Sequence, residues 1–235
     1  MSSPPFPWPD LLIFDLDGTL IDSKTDLANS LNQSLRERGL RELAREEIYS
    51  YVGNGVYNLI ERSVRAVGSD DVEGALAHFM GIYDRRLLEQ TRLYDGVADV
   101  LNYFRGVPLA LITNKSMRFT RAIVDGLGVT HYFHPLLARD SLPQCKPHPA
   151  PITHCIEIHE ARRTYTWMVG DGATDITAGK AAGVRTCGCL YGFRSEEEVR
   201  GAAPDLLIHE PRELLTVFRT PTAVVGDPPR PPTAQ

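Results

Sequence analysis

Short apolar runs that stop on a polar, chemistry-bearing residue constrain this chain most. Leu11 to Phe14 ends at Asp15, Val107 to Ile112 ends at Thr113 and Asn114, and Tyr165 to Val169 ends at Gly170 and Asp171. Val184 to Leu190 and Asp205 to Ile208 are two more. Each run is brief, apolar at successive positions and followed by helix-compatible sequence. That pattern predicts strands buried on both faces, lying in a parallel sheet with helices on both sides, an α/β Rossmann-like core. In open parallel sheets ligands bind beyond the carboxyl ends of the strands, which is where these polar residues fall.

The interval 22–93 breaks the alternation, because no run in it reads as a buried strand. Leu27, Leu31 and Leu35 recur every fourth residue, and Leu76, Met80, Tyr83 and Leu87 at three and four. Both spacings put an apolar stripe on one helix face. Asp22 or Ser23 is placed to cap the first of these helices. The expected organisation is a discontinuous core, 10–21 and 94–217, with an all-helical cap domain inserted at 22–93. Residues 1–9 and 218–235, rich in proline, are expected to be flexible ends.

With 43% hydrophobic residues among 235, the chain can bury a substantial core. Its net charge of -5 offers no basic stripe for nucleic acid. No apolar run is long enough to span a bilayer, and the proline-rich start lacks a signal sequence. The expectation is a cytoplasmic protein acting on a small molecule, with no nucleic-acid or membrane partner, as a monomer or homodimer. Cys145, Cys155, Cys187 and Cys189 match no zinc spacing and read as reduced thiols.

The strand ends supply a set of groups with one chemical sense. Asp15 and Asp17 are two apart and share a face of an extended segment. Gly18 lets the chain turn away without a side chain in the pocket. Asp171 is followed four residues on by Asp175, where a helix begins. Two carboxylates about 4 Å apart repel by roughly 4 kcal/mol at an effective dielectric near 20, so four converging acids call for a hard cation. Magnesium suits them, since it takes oxygen ligands and keeps a substrate phosphate. Thr113, Asn114 and Lys146 then read as phosphate holders. Lys146 precedes Pro147, which disfavours helix there and predicts a shaped loop.

The ordered set Asp15-Leu16-Asp17-Gly18-Thr19-Leu20, Thr113-Asn114, Lys146-Pro147 and Gly170-Asp171 with Asp175 resembles the motifs of the haloacid dehalogenase superfamily, over nearly residues 10–217. The resemblance implies a magnesium-dependent phosphatase. Asp15 would attack phosphorus, and Asp17 would protonate the leaving oxygen and then activate water. Asp171, the Asp15 side chain and the Asp17 backbone carbonyl would hold magnesium, with Asp175 orienting its waters. Superfamily dehalogenases lack an acid at the place of Asp17, so dehalogenation is disfavoured. Phe14 to Ser23, Val52 to Gly55, Leu111 to Lys115, Lys146 to Pro149 and Tyr94 to Gly96 are similar to the bacterial phosphoglycolate phosphatase branch. That branch implies 2-phosphoglycolate as substrate. Relatives of this layout hydrolyse pyrophosphate, nucleotides or sugar phosphates, or act as phosphomutases. A catalytically silent metal-binding module is the alternative of another class. The Gly53-Asn54-Gly55 turn opens a helix, and its free N–H groups suit an anion, with Asn54 at the substrate. Lys24 stands where the branch has a small residue and adds charge near the entrance. Arg62 reads as a solvated surface residue.

Overall fold

The computed structural model describes residues 6–53 and 55–219. Six parallel strands form the sheet, in the order β5-β4-β1-β6-β7-β8. They are β1 (Leu11–Phe14), β4 (Leu109–Ile112), β5 (Leu136–Leu137), β6 (Thr166–Gly170), β7 (Arg185–Cys189) and β8 (Leu206–Ile208). The strand β5, two residues long, has no counterpart in the sequence expectation, because a pair of residues carries no periodicity. Alternate residues of β1 face opposite layers. Leu12 and Phe14 join one apolar cluster, Leu11 and Ile13 the other, and all four are buried. This two-sided burial is why the strand reads as an unbroken apolar run.

Helices α5 (Val97–Tyr103), α6 (Met117–Gly126), α7 (Ala150–His159), α8 (Ala173–Ala182), α9 (Glu196–Gly201) and α10 (Leu214–Val217) complete the core. The strand β1 pairs with β4 on one side and β6 on the other, with Phe14 in register with both Leu111 and Val169. The three strands whose ends carry the polar motifs are therefore neighbours, and their first residues past the sheet emerge side by side.

Between β1 and β4 lie α1 (Lys24–Glu37), α2 (Arg45–Tyr51), α3 (Val56–Ala66) and α4 (Val72–Asp84). The short antiparallel pair β2 (Ile21–Asp22) and β3 (Arg92–Leu93) joins the entry and exit of this segment. The buried Asp26 carboxylate reinforces the neck, accepting hydrogen bonds from the N–H groups of Gln90 and Thr91 and from the Thr91 hydroxyl. Leu27, Leu31 and Leu35 are buried as the four-residue spacing predicts. On α4 the buried stripe departs from the expected one at Leu76 and Met80, while Tyr83 and Leu87 are buried as expected. It is Ala75, Phe79, Ile82 and Tyr83, with Leu76 and Met80 on its flank and Leu87 beyond the helix end. The ring of Phe79 stacks on Tyr83, and Tyr83 meets Phe119 of α6 edge-on at 5.0 Å, which fixes the face that turns inward.

The ends also differ from the expectation of loose termini at 1–9 and 218–235. Phe6 bridges to Phe218 and packs on Trp167 with ring centroids 4.7 Å apart, and Trp8 lies against Phe104. Aromatic burial of this kind outweighs the local preference of a proline-rich stretch. Residues 1–5 and 220–235 lie outside the described residues. Among the described residues no helix is long and apolar enough to cross a membrane, and the four cysteines are free thiols.

Candidate active site

Asp15 extends β1 by one residue, its N–H bonding the Val169 carbonyl. Asp171 follows β6 directly, and Asp175 lies in the first turn of α8. These elements bring one carboxylate oxygen from each of Asp15, Asp171 and Asp175 within 4.8 Å of one another. The Lys146 ammonium enters the same cluster at 2.6 Å from Asp15 Oδ1 and 2.6 Å from Asp175 Oδ1, and donates to the Ile112 carbonyl at 2.7 Å. Its approach to Asp175 is an off-line ion pair that leaves that oxygen without a hydrogen bond. Asp15 and the Ile112 carbonyl take two of the ammonium's three donors, and Asp175 meets its charge.

The electrostatics follow from burial. Desolvation pushes the Asp15 carboxyl up, Lys146 pulls it back, and the charges of Asp175 and Asp17 add to the rise, leaving it at about 7. Burial, with the charges of Asp15 and Asp175, holds Asp171 well above the ordinary carboxylate range. Burial opposes the charge on Lys146, but Asp15 and Asp175 outweigh it and hold the ammonium above its ordinary value. One lysine among three close acids leaves an excess of negative charge that desolvation makes costly. The donor set, all hard carboxylate oxygen, fits magnesium.

Two glycines make room for Asp171. Gly18, at φ 86°, has its place directly against that side chain, where a Cβ would lie 2.2 Å from Asp171 Oδ2. A Cβ on Gly192 would lie 2.3 Å from Asp171 Cβ and 2.5 Å from the Gly18 carbonyl oxygen. The neighbouring Phe193 N–H donates to Asp171 Oδ2 at 2.7 Å, and the Gly172 N–H donates to Asp175 Oδ2 at 3.0 Å.

Asp17 departs from the expected convergence of four acids. Its side chain stands apart from the triad and is held by the Lys115 ammonium, at 3.0 and 2.9 Å from its two oxygens. The Ser23 hydroxyl also donates to it, so Ser23 precedes α1 without capping it through its side chain. A cation reaching in from the end of β4 offsets the charge of Asp17, which is the physical reason it stands apart from the triad. Thr113, 3% exposed, lines the cavity in front of Asp15, and its Oγ1 accepts from the Lys115 N–H. Asn114 also lines the cavity, but its amide donates to the Lys146 carbonyl at 3.0 Å and so fixes the lysine's loop.

The cavity is small, about 50 Å³, room for a few water molecules. Asp15 and Asp17 form its floor, while Leu27, Val52, Val56, Leu59 and Phe119 make apolar walls. Gly53 and Gly55 border it where α3 begins, and Asn54 between them lies outside the described residues. Arg194, beyond β7, donates to the Val52 carbonyl and ties this wall to the core. Lys24 lies between the rings of Tyr49 and Phe193, at 5.8 and 5.9 Å, and Arg62 is exposed over the ring of Tyr51. Lys24 and Arg62 are not among the residues that line the cavity. Lys115, Gly192 and Arg194 escaped the sequence reading as site residues. Lys115 adjoins Thr113-Asn114, and that adjacency was the available signal.

Comparison with known proteins places this geometry. A family model described as "Haloacid dehalogenase-like hydrolase" matches residues 12–189. A phosphoglycolate phosphatase of Pseudomonas putida is 38% identical over 216 residues, covering 88% of this chain and 79% of that protein. One of Colwellia psychrerythraea is 35% identical over 215 residues, covering 88% and 95%. The crystal structure of a predicted phosphoglycolate phosphatase from Haemophilus somnus superposes with a TM-score of 0.84 at 30% identity, covering 88% of this chain and 97% of that one.

Proposed function

The chain belongs to the haloacid dehalogenase-like hydrolase family, and on that premise we propose that it is a magnesium-dependent phosphatase of small phosphate monoesters, with 2-phosphoglycolate its preferred substrate. The observation that carries the reading is Asp15, a buried carboxylate at the end of the central strand. It is grouped with Asp171, Asp175 and Lys146 and faces a cavity it shares with Asp17. The names of the relatives support the choice of ester.

In this reading an Asp15 oxygen bonds to phosphorus as the bond from phosphorus to the leaving oxygen breaks. Asp17 gives that oxygen its proton. In the second displacement Asp17 takes a proton from water, and the water oxygen attacks the aspartyl-phosphate, releasing inorganic phosphate and restoring Asp15. Asp15, Asp171 and Asp175 would hold the magnesium, with the Asp17 carbonyl as a further donor. When bound, the ion neutralises charge on the phosphate oxygens. Lys146 keeps Asp15 aimed and offsets its charge, and Thr113 offers a hydroxyl to the phosphate. The helices of 22–93 act as a cap that closes the cavity and excludes water.

The test is inorganic phosphate release from 2-phosphoglycolate, glucose 6-phosphate, a nucleoside monophosphate and pyrophosphate, with magnesium and with EDTA. Phosphoglycolate should give the highest kcat/KM, and EDTA should abolish turnover. If another ester exceeds it tenfold, about 1.4 kcal/mol of transition-state preference, the substrate assignment is wrong. If none releases phosphate, the phosphatase reading itself is wrong.

A further inference from the structure

The apolar cavity contains one cation among its described lining residues, and that cation is not used by the proposed chemistry. Lys115 Nζ lies 2.9 and 3.0 Å from the two oxygens of Asp17, with 7% of its side chain exposed. It lies 5.2 Å from the centroid of the Tyr83 ring. Lys146 is taken up by Asp15, Asp175 and the Ile112 carbonyl, whereas Lys115 meets one carboxylate and the ring of Tyr83. Two more donors line the same cavity. The Ser116 hydroxyl is buried there with no hydrogen-bond partner among the described residues, and the Tyr83 hydroxyl is buried beside the Lys115 ammonium with its own proton still to donate. Buried polar groups without partners are uncommon, and three donors around one apolar space point to an anionic ligand.

We propose that Lys115, with the Tyr83 and Ser116 hydroxyls, forms the subsite that recognises a carboxylate on the leaving group, and so selects phosphate esters of small hydroxy acids. The inference rests on the phosphatase reading, in which Asp17 protonates the leaving oxygen. That oxygen must then lie in hydrogen-bond reach of Asp17, whose two oxygens both touch Lys115. A carboxylate two bonds from the leaving oxygen is carried into the space between Lys115, Tyr83 and Ser116. An uncharged alkyl group in the same place leaves the hydroxyls unpaired and gives the ammonium nothing. The apolar walls strengthen the attraction by keeping bulk water out. Selection on this account resides at the end of β4 and on the facing Tyr83 of α4, and not in the turn that opens α3.

The experiment compares kcat/KM for 2-phosphoglycolate with that for ethyl phosphate, which has the same skeleton without the carboxylate, in wild type, Lys115→Met and Lys115→Arg. A ratio of two substrates in one preparation does not depend on the fraction of folded enzyme. Wild type should favour phosphoglycolate by at least about 100-fold, and Lys115→Met should reduce that ratio by at least about 30-fold, with Lys115→Arg between them. If Lys115→Met turns over neither ester, calorimetric binding of 3-phosphonopropionate against propylphosphonate, in which a methylene replaces the ester oxygen, reads the same ratio without chemistry. A Lys115→Met ratio within about threefold of wild type, by either readout, overturns the subsite. So does a wild type that hydrolyses both esters without preference. A wild type that releases phosphate from neither overturns the phosphatase reading, a different result.

Discussion

Lys146 Nζ and Asp15 Oδ1 meet at 2.6 Å across 131 residues of chain, with the lysine side chain 2% exposed. The pair joins the end of β1 to the loop before α7, and Asp175 closes it from the other side at the same distance. Removing the lysine leaves two buried carboxylates without their counter-charge. Lys146→Met should therefore cost the metal-free protein about 3 kcal/mol of stability, because breaking a buried pair leaves an uncompensated charge. It should also lower kcat by at least about 100-fold. Urea denaturation of EDTA-treated protein and steady-state kinetics measure the two effects. A variant as stable and active as wild type would mean the pair has neither role.

The shifts at Asp15 and Asp171 make the metal-free fold sensitive to pH. Asp15 rises from an ordinary 3.8 to about 7 on folding, and Asp171 moves in the same direction. The folded metal-free protein thus retains protons that the unfolded chain releases. Stability from these groups is present below the unfolded value and is lost as pH climbs towards about 7. A divalent cation replaces those protons, so its stabilising effect should grow over the same range. The difference in Tm between magnesium-loaded and EDTA-treated protein should widen from about pH 5.5 to about pH 8. A constant or shrinking difference would show that the acids do not compete for protons and metal.

Gly192 carries a prediction of its own. A Cβ there would press on both Asp171 and the Gly18 carbonyl, whereas one on Gly201 meets nothing within 4 Å. Gly192→Ala should weaken magnesium binding by at least about tenfold and cost about 1–3 kcal/mol through overpacking. Gly201→Ala, at the end of α9, is the control and should leave binding unchanged. Isothermal titration with magnesium compares the two. Equal affinities would remove Gly192 from the site.

What the sequence revealed, and what it hid, follows from how far each signal travels along the chain. Asp15 and Asp171 were legible because each follows a strand buried on both faces, and such strands leave an unbroken apolar run; Asp175 was legible from its place four residues after Asp171, where a helix begins. Lys146 was legible from the proline after it. The partnership of Lys115 with Asp17 was not, since 98 residues separate them and no local spacing records the contact. Gly192 and Arg194 act through what lies against them, Asp171 and the Val52 carbonyl, and a sequence shows neither. The packed start at Phe6 and Trp8 was concealed by the prolines around it. On α4 Tyr83 was legible, but Ala75 and Phe79 stand buried where Leu76 and Met80 were expected, because two apolar faces competed and Phe79 stacks on Tyr83.

The central claim is that Asp15 becomes phosphorylated during turnover, and trapping that species tests it most directly. Wild-type enzyme with magnesium and 2-phosphoglycolate is quenched in acid during turnover, reduced with borohydride and digested for peptide mass spectrometry. An acyl phosphate on Asp15 is reduced to the alcohol, so the peptide spanning Leu11 to Leu20 should carry homoserine at position 15. Asp15→Asn, folded as wild type by circular dichroism, should show no reduced residue and lose turnover by several orders of magnitude. Steady phosphate release by wild type with the reduced residue elsewhere, or near-normal turnover by folded Asp15→Asn, would contradict the account.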